Sequence, residues 1–499
     1  MHTHFIATDL VKVYKEKVKK KEDILTVLAW GDAVEVIKQT STTIEIRLQE
    51  FVPASTGSIE PVERVGFIFA KSNQQDGVIR PIEDRDVLQV SFVDVQQGDG
   101  CIVETPDGKV LLIDGGENQM FARYLAARFQ NTSPDNPKDI DCIVVTHGDA
   151  DHYAGLSEIL KSEQHENPRK RLFIRPLRVY HNGIVKRPGK DDQKKDIPDV
   201  KLLGPTTKKD DRLYLTGLQD DLLAVPDKEL NKFFKEWKST LKEYADFFGG
   251  LEQRRLDHNS QGAFSFLDGM EVEVLGPITE NVNGKPALKF LVDPPKSVKQ
   301  KLSDSPQGSF SASHTINGHS VILRLTYGNI RFLFSGDLNE EAEDILVDQS
   351  NSGERPIEAE VLKVPHHGSA DFSNPFLEAV KPLISIVSSG DENEQKEYIH
   401  PRATLVGALG KHSRTDRPLI FVTEMVAFFK GEGDAVRAEG SKKPFYAFSR
   451  SAFGIVHVRT DGERILVFTH SGKEGTKEAY AFTISELGGK VVREDVAIV

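Results

Sequence analysis

Two cysteines in 499 residues are too few for a disulfide framework, and they exclude a thiolate metal site. Cys101 and Cys142 both lie in apolar, strand-like runs, so buried free thiols and a reducing cytoplasm are expected. No stretch approaches the ~20 apolar residues needed to cross a bilayer. The opening "MHTHFIATDLVKVYKEKVKKKED" has basic residues but no apolar segment before a small-residue cleavage site, which argues against a secretory signal. Self-similar repeats and long low-complexity tracts are missing too. What is present is the composition of a folded protein, 38% hydrophobic and 28% charged, in a chain long enough for two or three units. The net charge of -12 opposes indiscriminate binding to a polyanion but leaves room for a local basic groove.

Residues 1–85 read as a β-rich module. "AVEVIK" and "TIEIRL" alternate apolar and polar residues around a polar turn, and "VERVGFIFAK" adds a further strand. A small SH3-like barrel is the expectation. Residues 86–499 carry strand–helix–strand–helix traffic, which favours a layered α/β architecture. This order occurs twice, so two βα halves stacked sheet to sheet are expected. Between the halves, 164–262 reads as an insertion rich in Lys, Arg and Asp. It contains one strong helix, with Asp227 as N-cap, a stripe from Leu230 through Phe233, Phe234, Trp237, Leu241, Tyr244 and Phe248, and Gly249-Gly250 as the stop. Residues 445–499 are again β.

Ligand-type residues recur where apolar strands end. His147, Asp149, Asp151 and His152 follow "CIVVT"; Asp337 follows "RFLFSG"; His366 and His367 follow "VLKVP"; His400 comes soon after "LISIVSSGDEN". Strand ends on one edge of a layered fold point the same way, so these loops can converge. Imidazole and carboxylate donors suit Zn²⁺ or Mn²⁺. In a tight loop leading into a helix, His147 and Asp149 can face one ion while Asp151 and His152 face a second, with Asp337 as a bridge. A lone surface histidine or a lone "GD" carries no such meaning. Four ligand-type residues in six positions do, because unpaired they would repel one another or desolvate at a cost.

The ordered series "DVQQGD" (94–99), "DGG" (114–116), "THGDADHYAG" (146–155), "NGHSVIL" (317–323), "SGD" (335–337), "VPHHGS" (364–369) and "HP" (400–401) resembles the metallo-β-lactamase superfamily, and within it the metallohydrolase domain of the competence protein ComEC. The resemblance covers roughly residues 86–430. It implies an αββα sandwich carrying the small N-terminal module and a helical insertion over the site. It also implies two divalent ions, Zn or Mn, with His147 and Asp149 in the first position, Asp151 and His152 in the second, Asp337 bridging and His367 as the last ligand. His366 is then a neighbour or phosphate contact, and His400 an additional histidine near the leaving group. Asp151, His366 and His400 become the residues expected to act in catalysis.

Gln96 stands where the pattern has glycine, Ala154 replaces the first glycine of "GG", and only Asn317 or His319 is offered as third ligand of the first position. That set predicts a weaker first ion, or Mn²⁺ instead of Zn²⁺ at the first position. The implied activity is phosphodiester hydrolysis by metal-activated water, with nucleic acid as the expected partner. The fold also allows a lactone, thioester or β-lactam hydrolase, or a metal-binding sensing protein. No membrane channel accompanies the domain, so a DNA-uptake pore is not expected. A protein partner could use the N-terminal module.

Overall fold

The computed structural model describes residues 2–53, 59–293, 309–390, 400–424, 436–437, 444–445, 454–470 and 476–499. Two sheets face each other. The larger has ten strands in the order Glu252–Arg255, Arg178–His181, Cys142–Val145, Val110–Ile113, Cys101–Glu104, Leu88–Phe92, Ile455–Thr460, Arg464–His470, Thr476–Ile484 and Val491–Glu494. The smaller has six, in the order Glu271–Gly276, Ile322–Tyr327, Ile330–Phe334, Val361–Lys363, Ile384–Val387 and Leu419–Val422.

Alternation along each strand builds the layers. Leu111, Ile113 and Val144 point inward and share one core with Leu323, Phe332, Phe334 and Ile386 of the opposite sheet. Their neighbours Val110, Leu112, Ile143 and Val145 point outward, under helices Met120–Arg128, Ala150–Ser162 and Lys232–Phe248. On the far side Leu333, Leu362 and Val387 lie under helices Glu340–Asn351, Asn374–Val380 and Ala403–His412. The result is an αββα sandwich. Cys142–Val145 runs parallel to both its neighbours, as does Val361–Lys363 to its own. The ligand loops emerge from the C-terminal ends of such strands, along one edge of the sandwich.

The segment 164–262 differs from its reading as a pure insertion, since two of its stretches are strands of the ten-stranded sheet. Arg178–His181 pairs with Cys142–Val145, and Glu252–Arg255 closes that edge. Neither stretch is an apolar run. An edge strand needs only one buried flank, so "EQRR" carries no strand pattern of its own. The insertion's helix starts later than expected as well. Asn231 is its N-cap, with the side chain accepting from Phe234 N–H at 2.9 Å, while Asp227 opens a separate short turn. Phe234, Trp237, Leu241 and Tyr244 are buried against the core, Phe233 and Phe247 face outward, and Gly249 ends the helix at φ 76°.

Near the N-terminus, seven strands form one antiparallel sheet in the order Ile24–Ala29, Leu10–Tyr14, Ile59–Phe69, Thr43–Pro53, Ala33–Gln39, His4–Ile6 and Ile79–Pro81. Its own core includes Ile6, Val11, Val13, Ile44, Ile46 and Ile68. The sheet is joined to the sandwich by ion pairs of Asp9 with Arg464 and of Asp32 with Arg128 and Arg459. Residues 497–499 also hydrogen-bond to Leu10 and Lys12. Parts of the expected C-terminal β segment, 446–453 and 471–475, lie outside the described residues. Cys101 and Cys142 are buried free thiols. Among the described residues no helix is long and apolar enough to cross a membrane.

Candidate metal centre

The loop 146–152 is set by what precedes and follows it. Cys142–Val145 is fully buried and fixes the direction of exit, and helix Ala150–Ser162 begins after Asp149, which has extended φ/ψ and makes no capping bond with its side chain. Asp151 and His152 therefore lie in the first helical turn, while His147 and Asp149 precede it. Backbone contacts clamp this turn. Gly115 N–H donates to His152 O at 2.6 Å and Gly155 N–H to Gly116 O at 2.8 Å. A Cβ on Gly155 would stand 2.2 Å from Gly115 O, and one on Gly98 would stand 1.8 Å from Asp151 O. The second glycine of the "GG" pattern is thus the one close packing demands, and Ala154 is accommodated beside it. Gln96, where the pattern has glycine, is in the left-handed conformation at φ 66°, with Asn118 donating to its Oε1 at 3.2 Å.

Four side chains converge at the second position. His152 Nε2 lies 3.2 Å from Asp337 Oδ1 and 3.4 Å from His367 Nε2. His367 Nε2 lies 3.1 Å from Asp337 Oδ2 and 3.4 Å from Asp151 Oδ2. The outward nitrogens are engaged behind them: His152 Nδ1 with Asp114 Oδ2 at 2.8 Å, and His367 Nδ1 donating to Ser388 O at 3.0 Å. Gln97 Nε2 donates to Asp151 Oδ2 at 3.2 Å. These bonds fix ring orientation and aim Nε2 inward, the arrangement that second-layer partners give metal-binding histidines. Burial works against charge on His152 and His367. Asp337 and Asp114 outweigh it for His152, and Asp337 and Asp99 for His367, so both imidazoles are held well above the ordinary histidine range. Burial likewise opposes ionisation of Asp337, but His152 and His367 keep it well below the usual carboxylate range. The carboxylates thus draw positive charge into the space where donor atoms meet, as a cation-binding centre must.

The first position is built differently. His147 Nε2 is buried without a hydrogen-bond partner and lies 3.9 Å from Asp337 Oδ2. Burial, then the neighbouring His152, pushes His147 well below the ordinary range, so it offers a neutral lone pair. Asp149 Oδ1, however, accepts from Lys186 Nζ at 2.9 Å. The Asn317 amide, turned so that its nitrogen faces Asp149, donates to Oδ2 at 3.1 Å. His319 is directed elsewhere, with Nε2 2.7 Å from Lys289 O. Of the two candidates for a third ligand, only Asn317 reaches this position.

His366 and His367 occupy consecutive left-handed conformations at φ 47° and 52°, which turn the two rings to different sides. His367 faces the centre, while His366 Nε2 lies 3.3 Å from the Asn317 amide and its Nδ1 is buried without a hydrogen-bond partner. The His400 ring centroid is 6.2 Å from that of His366. Burial lowers His400 to about 4, assisted by His367, His366 and Arg402, so it is neutral at pH 7.

Residues 94–189 match the model of the metallo-beta-lactamase superfamily. The sandwich is a metallo-β-lactamase fold. ComE operon protein 3 of Bacillus subtilis (strain 168) is 32% identical over 118 residues, 23% of this chain and 14% of that protein. Competence protein ComA of Neisseria gonorrhoeae is 34% identical over 105 residues, 20% of this chain and 14% of that one. The matches therefore span a small part of either relative. A solved structure, the long form RNase Z from yeast, aligns with 80% of this chain and 49% of its own at 8% identity and a TM-score of 0.26.

Within this metallo-β-lactamase sandwich, sequence reasoning passed over Asp99, Asp114 and Lys186, and read Lys363, with Arg402, as a basic residue flanking the site that helps bind phosphate, whereas the structure turns Lys363 to buried carboxylates. Asp99 and Asp114 sat inside quoted motifs without a role. Asp99, His152, Asp337 and His367 offer donor atoms within 4.8 Å of one another, yet Asp99 lies on the Nδ1 side of the rings and against Lys363. It therefore stands behind the two imidazoles, on the side away from the inward-facing Nε2 atoms. Lys363 is buried, donates to Gly336 O at 2.9 Å and lies 3.7 Å from Asp337 Oδ1. A lysine directly before "VPHH" on a buried strand was the available signal, because a buried ammonium requires a carboxylate partner. Lys186, in the supposed insertion, had no signal at all.

Proposed function

We propose that the chain is a metal-dependent phosphodiesterase whose substrate is nucleic acid. The observation that carries the metal dependence is the inward convergence of His152 Nε2, His367 Nε2, Asp151 Oδ2 and both Asp337 oxygens, beside the unpartnered His147 Nε2. This donor set fits a divalent ion such as Zn²⁺ or Mn²⁺, held by Asp151, His152, Asp337 and His367. Such an ion supplies a lowered water pKa and polarises a phosphoryl oxygen. Asp337 reaches both halves of the centre, since its Oδ2 faces His147 as well as His367. Gln97 holds Asp151 in place. A phosphodiester is favoured over a lactone, thioester or β-lactam by what surrounds the ligands. His366 offers an unpartnered buried Nδ1, and neutral His400 stands beside it with Arg402. These groups suit the oxygens of an anionic phosphate. The resemblance to the competence-protein branch, which implies phosphodiester hydrolysis, supports this reading.

The test is turnover by the purified chain in Mn²⁺ or Zn²⁺ of bis-p-nitrophenyl phosphate and of single- and double-stranded DNA and RNA, beside a lactone, a thioester and a β-lactam. Metal-dependent cleavage of the phosphodiesters alone is expected. Cleavage of a carboxylic ester, thioester or lactam without any phosphodiester turnover would overturn the proposal.

A further inference from the structure

The two halves of the metal loop differ in one respect that the donor residues alone do not show. At the second position the carboxylates face imidazole nitrogens, and the ammonium nearest to them, Lys363 at 3.7 Å from Asp337 Oδ1, is tied to Asp99 and Gly336 O. At the first, Asp149 already has a cation, the Lys186 ammonium at 2.9 Å. We propose that Lys186 is the resident counter-ion of Asp149 and competes with a metal ion for the first position, so that the chain binds one divalent ion tightly and a second only by displacing Lys186. The inference rests on the metal centre proposed above and deepens it.

Lys186 is built into the site. Its carbonyl accepts from Asn231 N–H at 2.9 Å, and the next residue, Arg187, donates from N–H to Leu202 O at 2.8 Å. Upstream, Ile184 and Val185 are buried and Asn182 Nδ2 donates to His319 O at 2.9 Å. The backbone is therefore held on both sides, and only the four-carbon stem is free to swing. With 31% of the side chain exposed, the ammonium can leave Asp149 for water without crossing the protein. Lysine suits such an exchange, since it is a strongly hydrated point charge on a flexible stem. A metal ion and an ammonium cannot share Asp149 closely, because like charges at contact distance repel by several kcal/mol even at an effective dielectric of about 20. The rest of the first set is weak compensation: one histidine, an oxygen of Asp337 that is shared with the second position, and an Asn317 amide whose nitrogen faces Asp149. The outer groups of the second position instead hold its rings in place for an ion.

Calorimetric titration of metal-free protein with Mn²⁺ alone, with ion counts from elemental analysis, tests this without reference to turnover. Wild type should bind one Mn²⁺ tightly and a second at least about a hundredfold more weakly. Lys186→Met should tighten the second at least about tenfold and leave the first unchanged, while Lys186→Arg keeps the wild-type ratio. Lys186→Gln serves as a second neutral variant, and thermal melting of metal-free protein confirms that each variant folds. Two ions of comparable affinity in wild type, or a second ion unchanged by both neutral variants, would overturn the proposal. If no tight ion binds wild type, the metal centre itself fails and this inference falls with it. One tight ion without any phosphodiester cleavage overturns the proposed substrate but supports the single tight position.

Discussion

The halves of the metal loop use the same residue types a few positions apart, His147 with Asp149 and Asp151 with His152, yet they are built for different work. Behind the second pair stand Asp114 and Gln97, and behind His367 the Ser388 carbonyl, which turn each donor toward one point. Behind the first pair, Thr146 and Ser320 hydroxyls lie 3.2 and 3.4 Å from His147 Nδ1, and Asp149 is drawn to Lys186. The difference teaches that a ligand motif states which atoms are available. The layer behind it decides which of them face an ion.

The comparison breaks most severely at Asp151. Asp151→Ala should remove the tight ion and lower phosphodiester turnover by three orders of magnitude or more, roughly 4 kcal/mol of barrier at 1.36 kcal/mol per tenfold. The fold should survive, because the side chain lies in the first turn of a helix, outside the apolar cores of the two sheets. Rate, ion content and circular dichroism on one preparation check this, and wild-type turnover would remove the assignment of the second pair. Asp337→Asn comes next. Its carboxylate faces both pairs, so the substitution should weaken both ions, the tight one by more than the ~10–100-fold typical of outer-layer partners. Ion content unchanged at both positions would show that Asp337 does not join them.

His400→Ala should leave both ions in place and cost about tenfold to a hundredfold in kcat/KM, the worth of one hydrogen bond to a charged group. Because His400 is lowered to about 4, it meets a phosphate as a neutral donor. The loss should therefore be similar for bis-p-nitrophenyl phosphate and for a phosphodiester with a poor alkoxide leaving group. A much larger loss on the poor leaving group would instead identify His400 as a general acid.

The smallest effect concerns pH. His152 and His367 have raised values in the folded chain, so their protonated forms contribute stability that is fully present below the ordinary value of 6.5 and is lost as pH rises through the raised ones. His147 is shifted the other way and acts only below 6.5, where an unfolded histidine gains a proton that the folded one refuses. Metal-free protein should therefore lose melting temperature as pH increases above 6.5, while affinity for Mn²⁺ increases because fewer protons must be released. Thermal melts in a chelator and titrations at several pH values provide the check. A metal-free melting temperature that climbs steadily across this range would contradict the charge assignment at the second pair.

Much of this was legible in order along the chain. Apolar runs ending in His or Asp marked the strands and the edge where they meet, because a buried strand must be apolar and its exit loop need not be. The insertion's helix announced itself through a stripe of aromatic residues, but its cap lay at Asn231 instead of Asp227, since several residues upstream could fill that role. Arg178–His181 and Glu252–Arg255 went unread as sheet strands because their partners, not their own pattern, make them strands.

By itself the amino-acid sequence determined the layered class, the ligand types and the loops that carry them, all of which follow from local alternation and spacing. Only the tertiary structure decided that Nε2 of His152 and His367 face inward, that Asp99 lies on the Nδ1 side of both rings, that Lys363 lies buried against it, and that Lys186 reaches Asp149. The physical reason is the same for each. These are contacts between side chains from distant strands and loops, and their strength depends on burial and approach, which no spacing along the chain records.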